Sequence, residues 1–176
     1  MKQEVRMMQK IAVVYYSMSG NTDYAARMIA EKTGAALIRL VPEKAYPDTG
    51  FRKFFWGGKS AVMGETPALE PYQFDADAYD LIVLGTPVWA SSFSPPVRSF
   101  VKENKDATDG KRMAAFVCCS GGGAEKALEK LRKFTGVSSF DAEMVLIDPK
   151  EKPSDDIIMK VEQFCKKIAQ NENKGE

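Results

Sequence analysis

The 176-residue chain contains no histidine. Imidazole ligands for zinc, and the Ser-His and Cys-His pairs of nucleophilic catalysis, are therefore excluded. There are only three cysteines, Cys118, Cys119 and Cys165; an odd number with two adjacent residues does not make a disulfide framework. Charge of one sign is also lacking: 25 basic and 24 acidic residues leave a net charge of +1, too weak a field to gather nucleic acid or an anionic membrane surface. No apolar run approaches the roughly 20 residues that cross a bilayer. The apolar stretch after Met1–Arg6 is too short for a signal peptide, and no small-residue cleavage site follows it. The expectation is a cytoplasmic protein whose partners include neither nucleic acid nor membrane. Both the Gly-Lys-Ser/Thr ending of a Walker loop and the Gly-x-Gly-x-x-Gly dinucleotide pattern are missing. Redox or acid–base chemistry must come from a cofactor, or from carboxylates, thiols and tyrosines.

What is present is an ordinary globular balance, 44% apolar and 28% charged. The length fits one domain over residues 1–176, able to bury roughly 70% of its unfolded surface, with 1–9 and 170–176 as loose termini. Ile11–Tyr16 is an uncharged run of β-branched, small and aromatic residues, the pattern of a strand buried on both faces. A helix follows over Asp23–Lys32 and stops at Gly34. Further strands are expected at Ala36–Val41, Leu81–Leu84, Arg112–Cys119 and Met144–Ile147. Helices are expected after Pro95-Pro96, over Ala127–Phe134, and after Pro153-Ser154, the last burying Ile157, Ile158, Val161, Phe164, Cys165 and Ile168. Strands alternating with helices predict an α/β protein, a parallel sheet covered on both faces. The connection 43–79 is long. A helix within Phe51–Met63, with Phe51, Phe54 and Phe55 facing the sheet, would make it either a cover for the core or part of a lid.

The segment joining the first strand to the first helix is Ser17-Met18-Ser19-Gly20-Asn21-Thr22. A helix opening presents backbone N–H groups with no intrahelical partner, and the hydroxyls of Ser17, Ser19 and Thr22 add donors. The loop is suited to a phosphate, or is a plain serine-rich cap. It resembles the phosphate loop of the flavodoxin family, Ser/Thr-x-Thr/Ser-Gly-Asn-Thr, which holds the monophosphate of FMN. That resemblance implies a flavodoxin-like three-layer sandwich: a five-stranded parallel sheet in the order 2-1-3-4-5, with the cofactor at the carboxyl ends of strands 1, 3 and 4. The order is flavodoxin's own and comes with the resemblance.

Two more loops then acquire expected roles. Thr86-Pro87-Val88-Trp89-Ala90 resembles the family's loop that lays an aromatic on the isoalloxazine ring; Trp89 would stack there, or else anchor the loop to the core. Where the family usually has a glycine after this tryptophan, the chain has Ala90, so a peptide flip into positive φ is expected to be costly and the one-electron-reduced flavin weakly stabilised. Cys119-Ser120-Gly121-Gly122-Gly123 resembles the loop whose N–H groups meet the pyrimidine edge, but without the second aromatic often found there, which leaves one ring face open. The two ring loops hold no Asp or Glu, so little charge repulsion of the reduced flavin is expected.

Two other readings fail on the residues. Cys118 and Cys119 lack the arginine six residues on that a phosphatase loop needs, and the positions of the acids in a receiver domain are held by Tyr16-Ser17 and Gly85-Thr86. The family resemblance implies FMN, with no metal. It leaves two functions of different class: an NAD(P)H:quinone-type oxidoreductase working on small molecules, or a one-electron carrier between redox partner proteins.

Overall fold

The computed structural model describes residues 9–47, 58, 59 and 61–170. Strands β1 (Ile11–Tyr15), β2 (Ala36–Arg39), β3 (Leu81–Trp89), β5 (Arg112–Cys119) and β6 (Glu143–Ile147) form a parallel sheet in the order β2-β1-β3-β5-β6. Counting the parallel strands alone, this is the expected 2-1-3-4-5. The two-residue β4 (Ser92–Phe93) turns back antiparallel on the end of β3.

The apolar strands divide their side chains between two faces because successive residues of a strand point to opposite sides. Val13, Tyr15, Val83, Phe116 and Leu146 share one core with α1 (Asn21–Thr33) and α5 (Asp155–Gln170). Ala12, Val14, Ile82, Leu84, Ala115 and Val117 share the other with α2 (Pro95–Glu103) and α4 (Ala124–Thr135). The four-residue α3 (Lys105–Thr108) leads back to β5. Three layers result, helix on sheet on helix. The centre is closely packed: a Cβ on Gly85 would lie 2.6 Å from Phe116 Cε1 and 2.9 Å from Tyr15 Cβ.

Three local expectations change. Strand β3 runs on through Trp89 instead of stopping at Leu84, because β4 and β5 supply pairing partners for the segment expected to be a loop. Strand β2 is shorter than expected. Ile158 is 43% exposed; next to Ile157 it sits about 100° round the helix, off the buried stripe. Phe51, Phe54, Phe55 and the outermost termini lie outside the described residues. Of the 43–79 connection, Tyr46, Leu69, Tyr72 and Phe74 pack against the α2-side core, and Pro42 bridges Leu69. These residues cover the core; most of the Phe51–Met63 stretch, for which a cover or a lid was expected, lies outside the described residues.

Candidate functional site

The carboxyl ends of β1, β3 and β5 open on one cleft, with about 210 Å³ of interior space. Met18, Ser19, Asn21 and Thr22 line it from the β1 loop, Pro87, Val88, Trp89 and Ala90 from the end of β3, and Cys118, Cys119 and Ser120 from the end of β5. Ten of the residues singled out from sequence thus meet there. Gly58, from the long connection, joins them.

The β1 loop leaves the start of α1 without a side-chain cap: Gly20, at φ +98°, is its N-cap. The first-turn N–H groups are left to whatever binds in the cleft. Ser17 is buried and its Oγ accepts from Gly20 N–H (3.2 Å), so it shapes the loop from below. Thr22 is 1% exposed and neighbours the Cys118 thiol, which burial pushes up to about 12 and which therefore keeps its proton. The neighbouring Cys119 Sγ donates to the Gly121 carbonyl (3.1 Å). Both strand-end thiols are buried. Below the loop, Tyr15 donates to Asp23 (2.6 Å) and Arg27 closes on the same carboxylate (2.8 Å). Burial alone would raise Asp23, but the bonds from Arg27 and Tyr15 outweigh it and hold the carboxyl below its usual range.

Trp89 is half-buried at the opposite wall. Its ring meets Tyr16 edge-on at 5.7 Å and Tyr46 at 5.2 Å, so the indole is anchored to the core by its neighbours while also lining the cleft. Residues Ala90 (φ +48°) and Ser91 (φ +55°) form the two-residue turn between β3 and β4. Positive φ at both central positions is the type I′ hairpin geometry, ordinarily met with Asn-Gly. Ala90 thus already has the positive φ that was expected to be costly for it. The hairpin register already holds it there, at a cost of about 1–2 kcal/mol that the flanking strand pairs sustain.

Not all expected residues reach the cleft. Thr86 is fully buried, accepting from Ser94 N–H (2.9 Å) and pairing with Ser94 Oγ (2.9 Å); it braces the base of the hairpin. Gly122 and Gly123 line a separate hollow with Ser91 and Ala124, on the far side of the turn. Gly121, like Gly122, faces open space.

A fourth strand end, missed from sequence, also contributes. Asp148 (φ +43°) follows β6; its Oδ1 accepts from Ser120 Oγ (2.5 Å) and its Oδ2 from Lys152 Nζ (2.9 Å). The bonds from Ser120 and Lys152 hold its carboxyl below the usual range. The ring loops themselves hold no Asp or Glu, but Asp148, from the segment after β6, stands at Ser120, paired with a lysine. Lys150 N–H donates to Asn21 Oδ1 (2.9 Å). The strand-end rule that marked the other loops applied equally to Asp148-Pro149-Lys150. The expected order already set β6 beside β5; what the sequence withheld was that the loop after β6 folds back onto the β1 loop.

The residues present fit FMN: an uncapped helix start for the phosphate, an indole wall for the ring, and a short strand-end loop at Cys119-Ser120. Among the described residues no group of His, Cys, Asp and Glu is arranged to hold a metal ion, and no helix is long and apolar enough to cross a membrane.

Solved structures share the fold. A flavoprotein from Lactobacillus acidophilus, solved in complex with FMN, is 21% identical, with a TM-score of 0.66 over 81% of this chain and 95% of that one. A WrbA-like flavodoxin from Agrobacterium tumefaciens is 19% identical, with a TM-score of 0.63 over 96% and 99%. Rubredoxin oxygen:oxidoreductase from Desulfovibrio gigas is 16% identical, with a TM-score of 0.62; the match covers 92% of this chain and 35% of that larger one. A flavodoxin family model matches residues 10–156, the span that carries all four strand-end loops. Together with the 2-1-3-4-5 sheet and the loop at Ser17–Thr22, this establishes that the chain belongs to the flavodoxin family, the FMN-binding flavoproteins of this fold.

Proposed function

We propose that the protein is an FMN-dependent oxidoreductase that takes electrons from a reduced small-molecule donor, with NAD(P)H as the candidate, and passes them to a quinone-like acceptor. The observation that carries this reading is the form of the cleft. One wall is the indole of Trp89, held by Tyr16 and Tyr46, while the end of β5 lines the cleft with Cys118, Cys119 and Ser120 and no second aromatic. A planar donor and a planar acceptor can use such an open side in turn.

The redox chemistry itself would be supplied by the isoalloxazine ring. The chain's part is to hold and orient it. First-turn amides of α1, with Ser19, Asn21 and Thr22, bind the phosphate; Trp89 fixes the plane of the ring; Pro87, Val88 and Cys119 exclude water from its buried edge. Nor is the site rimmed by acids, as a docking face for basic redox proteins would be. Asp148 is paired with Lys152 and Asp23 with Arg27, and Lys150 and Arg39 stand near the phosphate loop. This supports exchange with small, often anionic molecules over docking of a protein partner.

The test is a steady-state assay of the FMN-loaded protein with NADH or NADPH and a panel of quinones. Turnover with parallel-line kinetics is expected, since donor and acceptor share one face. Reduction by neither nucleotide, together with fast one-electron exchange with a reductase protein, would overturn the reading in favour of a carrier.

A further inference from the structure

We propose that Lys150 is the cationic partner of the FMN phosphate, carried to the β1 loop from the end of β6. This rests on the FMN reading above. The loop Ser17–Thr22 has no basic residue of its own. The Lys150 side chain nevertheless lies along it: a Cβ built on Gly20 would fall 3.1 Å from Lys150 Cδ, 3.4 Å from Cε and 2.8 Å from Nζ. Gly20 is needed for its positive φ, and a side chain there would also push the end of Lys150 off the loop.

The position of Lys150 is fixed from both sides. Its backbone N–H donates to Asn21 Oδ1 (2.9 Å). That bond sets the orientation of the Asn21 amide, because the N–H needs an acceptor, and leaves the NH₂ group as a donor for the phosphate. Two residues earlier, Asp148 is bound to Ser120 Oγ (2.5 Å), and its N–H donates to the Cys119 carbonyl (3.0 Å). The Lys152 N–H donates to the Asp148 carbonyl (2.8 Å) and closes the turn. The 148–152 segment therefore bridges the β5 loop to the phosphate loop, with Lys150 at the phosphate end.

The other cations of this region are already committed. Arg27 and Arg39 pair with Asp23 (2.8 and 3.8 Å), and Lys152 pairs with Asp148 (2.9 Å). Lys150 Nζ has no carboxylate partner among the described residues. An unpaired ammonium lying on an uncapped helix start is complementary to a phosphate dianion and gives nothing to the phosphate-free riboflavin.

The experiment compares dissociation constants of the apoprotein for FMN and riboflavin in wild type, Lys150→Met and Lys150→Arg. Methionine keeps the backbone N–H and much of the stem, so the change isolates the charge. Lys150→Met is expected to weaken FMN about tenfold, the lower part of the range for charge-assisted bonds because the site is open to solvent. Riboflavin affinity is expected to stay the same within about twofold, and Lys150→Arg to hold FMN within about threefold. The dependence of FMN affinity on NaCl between about 20 and 500 mM should flatten in Lys150→Met, since one screened attraction is gone. Equal loss of both ligands, or unchanged FMN affinity in Lys150→Met, would overturn the assignment to Lys150 while leaving the FMN site intact. A wild type that does not favour FMN over riboflavin would overturn the phosphate site itself.

Discussion

Replacing Ala90 by glycine should make the protein more stable, against the usual direction of an Ala→Gly change. Ala90 has φ +48° in the hairpin that carries Trp89. An L-residue in the left-handed region costs about 1–2 kcal/mol, which glycine avoids. Against that, glycine gives up about 0.5–1 kcal/mol more backbone entropy on folding. The Ala90 methyl is exposed, and a Cβ on the nearby Gly58 would still be 3.7 Å from it, so its removal opens no cavity. The balance is a gain of about 0.5–1 kcal/mol, or about 1–4 °C in Tm for a chain of this size. Urea unfolding of the apoprotein with an unchanged m-value would measure it. Ala30→Gly, in the regular part of α1, is the control and should lose about 1 kcal/mol. If Ala90→Gly is destabilising to the same degree as the control, Ala90 is not held in the left-handed region and the turn has been wrongly described.

Gly85→Ala should do the opposite, destabilising by about 1–3 kcal/mol, because the new methyl meets the Phe116 ring and Tyr15 in the middle of the sheet; an unchanged urea midpoint would contradict that packing. Thr22→Val should weaken FMN more than riboflavin in a titration of the apoprotein, whereas Trp89→Ala should weaken both alike. The tryptophan change should also cost about 1–3 kcal/mol of stability, through the lost contacts with Tyr16 and Tyr46; equal losses of both ligands in both variants would mean the roles are wrongly divided. Asp148 is held below its usual range by Ser120 and Lys152. Its stabilising effect is therefore present above the unfolded-state carboxylate value of about 3.9 and is lost as pH falls through the lower folded value. Asp148→Asn should be less stable than wild type at neutral pH, and the two unfolding midpoints should converge in acid; a difference independent of pH would place the effect in packing instead.

Much of the architecture was readable from local pattern alone. The uncharged runs at 11–16, 81–84 and 113–119 have the pattern of strands covered on both faces, and such strands need helices between them. The loop Ser17–Thr22 carries its chemistry in consecutive residues, so its place at a helix start follows from the chain itself. Trp89 was placed at the cleft, but its two possible roles could not be separated: the tyrosines that anchor it, Tyr16 and Tyr46, come from a strand end and from the long connection.

What the tertiary structure alone decided are the features that join distant segments. The positive φ of Ala90 is imposed by the pairing of β3 with β4, against the residue's own preference. Thr86 turned inward because Ser94 offers it both a donor and an acceptor. Asp148 meets Ser120, and Lys150 meets Gly20 and Asn21, across 28 and about 130 residues of chain, because the parallel order sets β6 beside β5 and folds its loop over β1. The spacing of residues along a sequence fixes which groups share one strand or helix face. Which loop ends face one another, and so where the charges of the site stand, is set by strand order and by the packing of the helices upon the sheet.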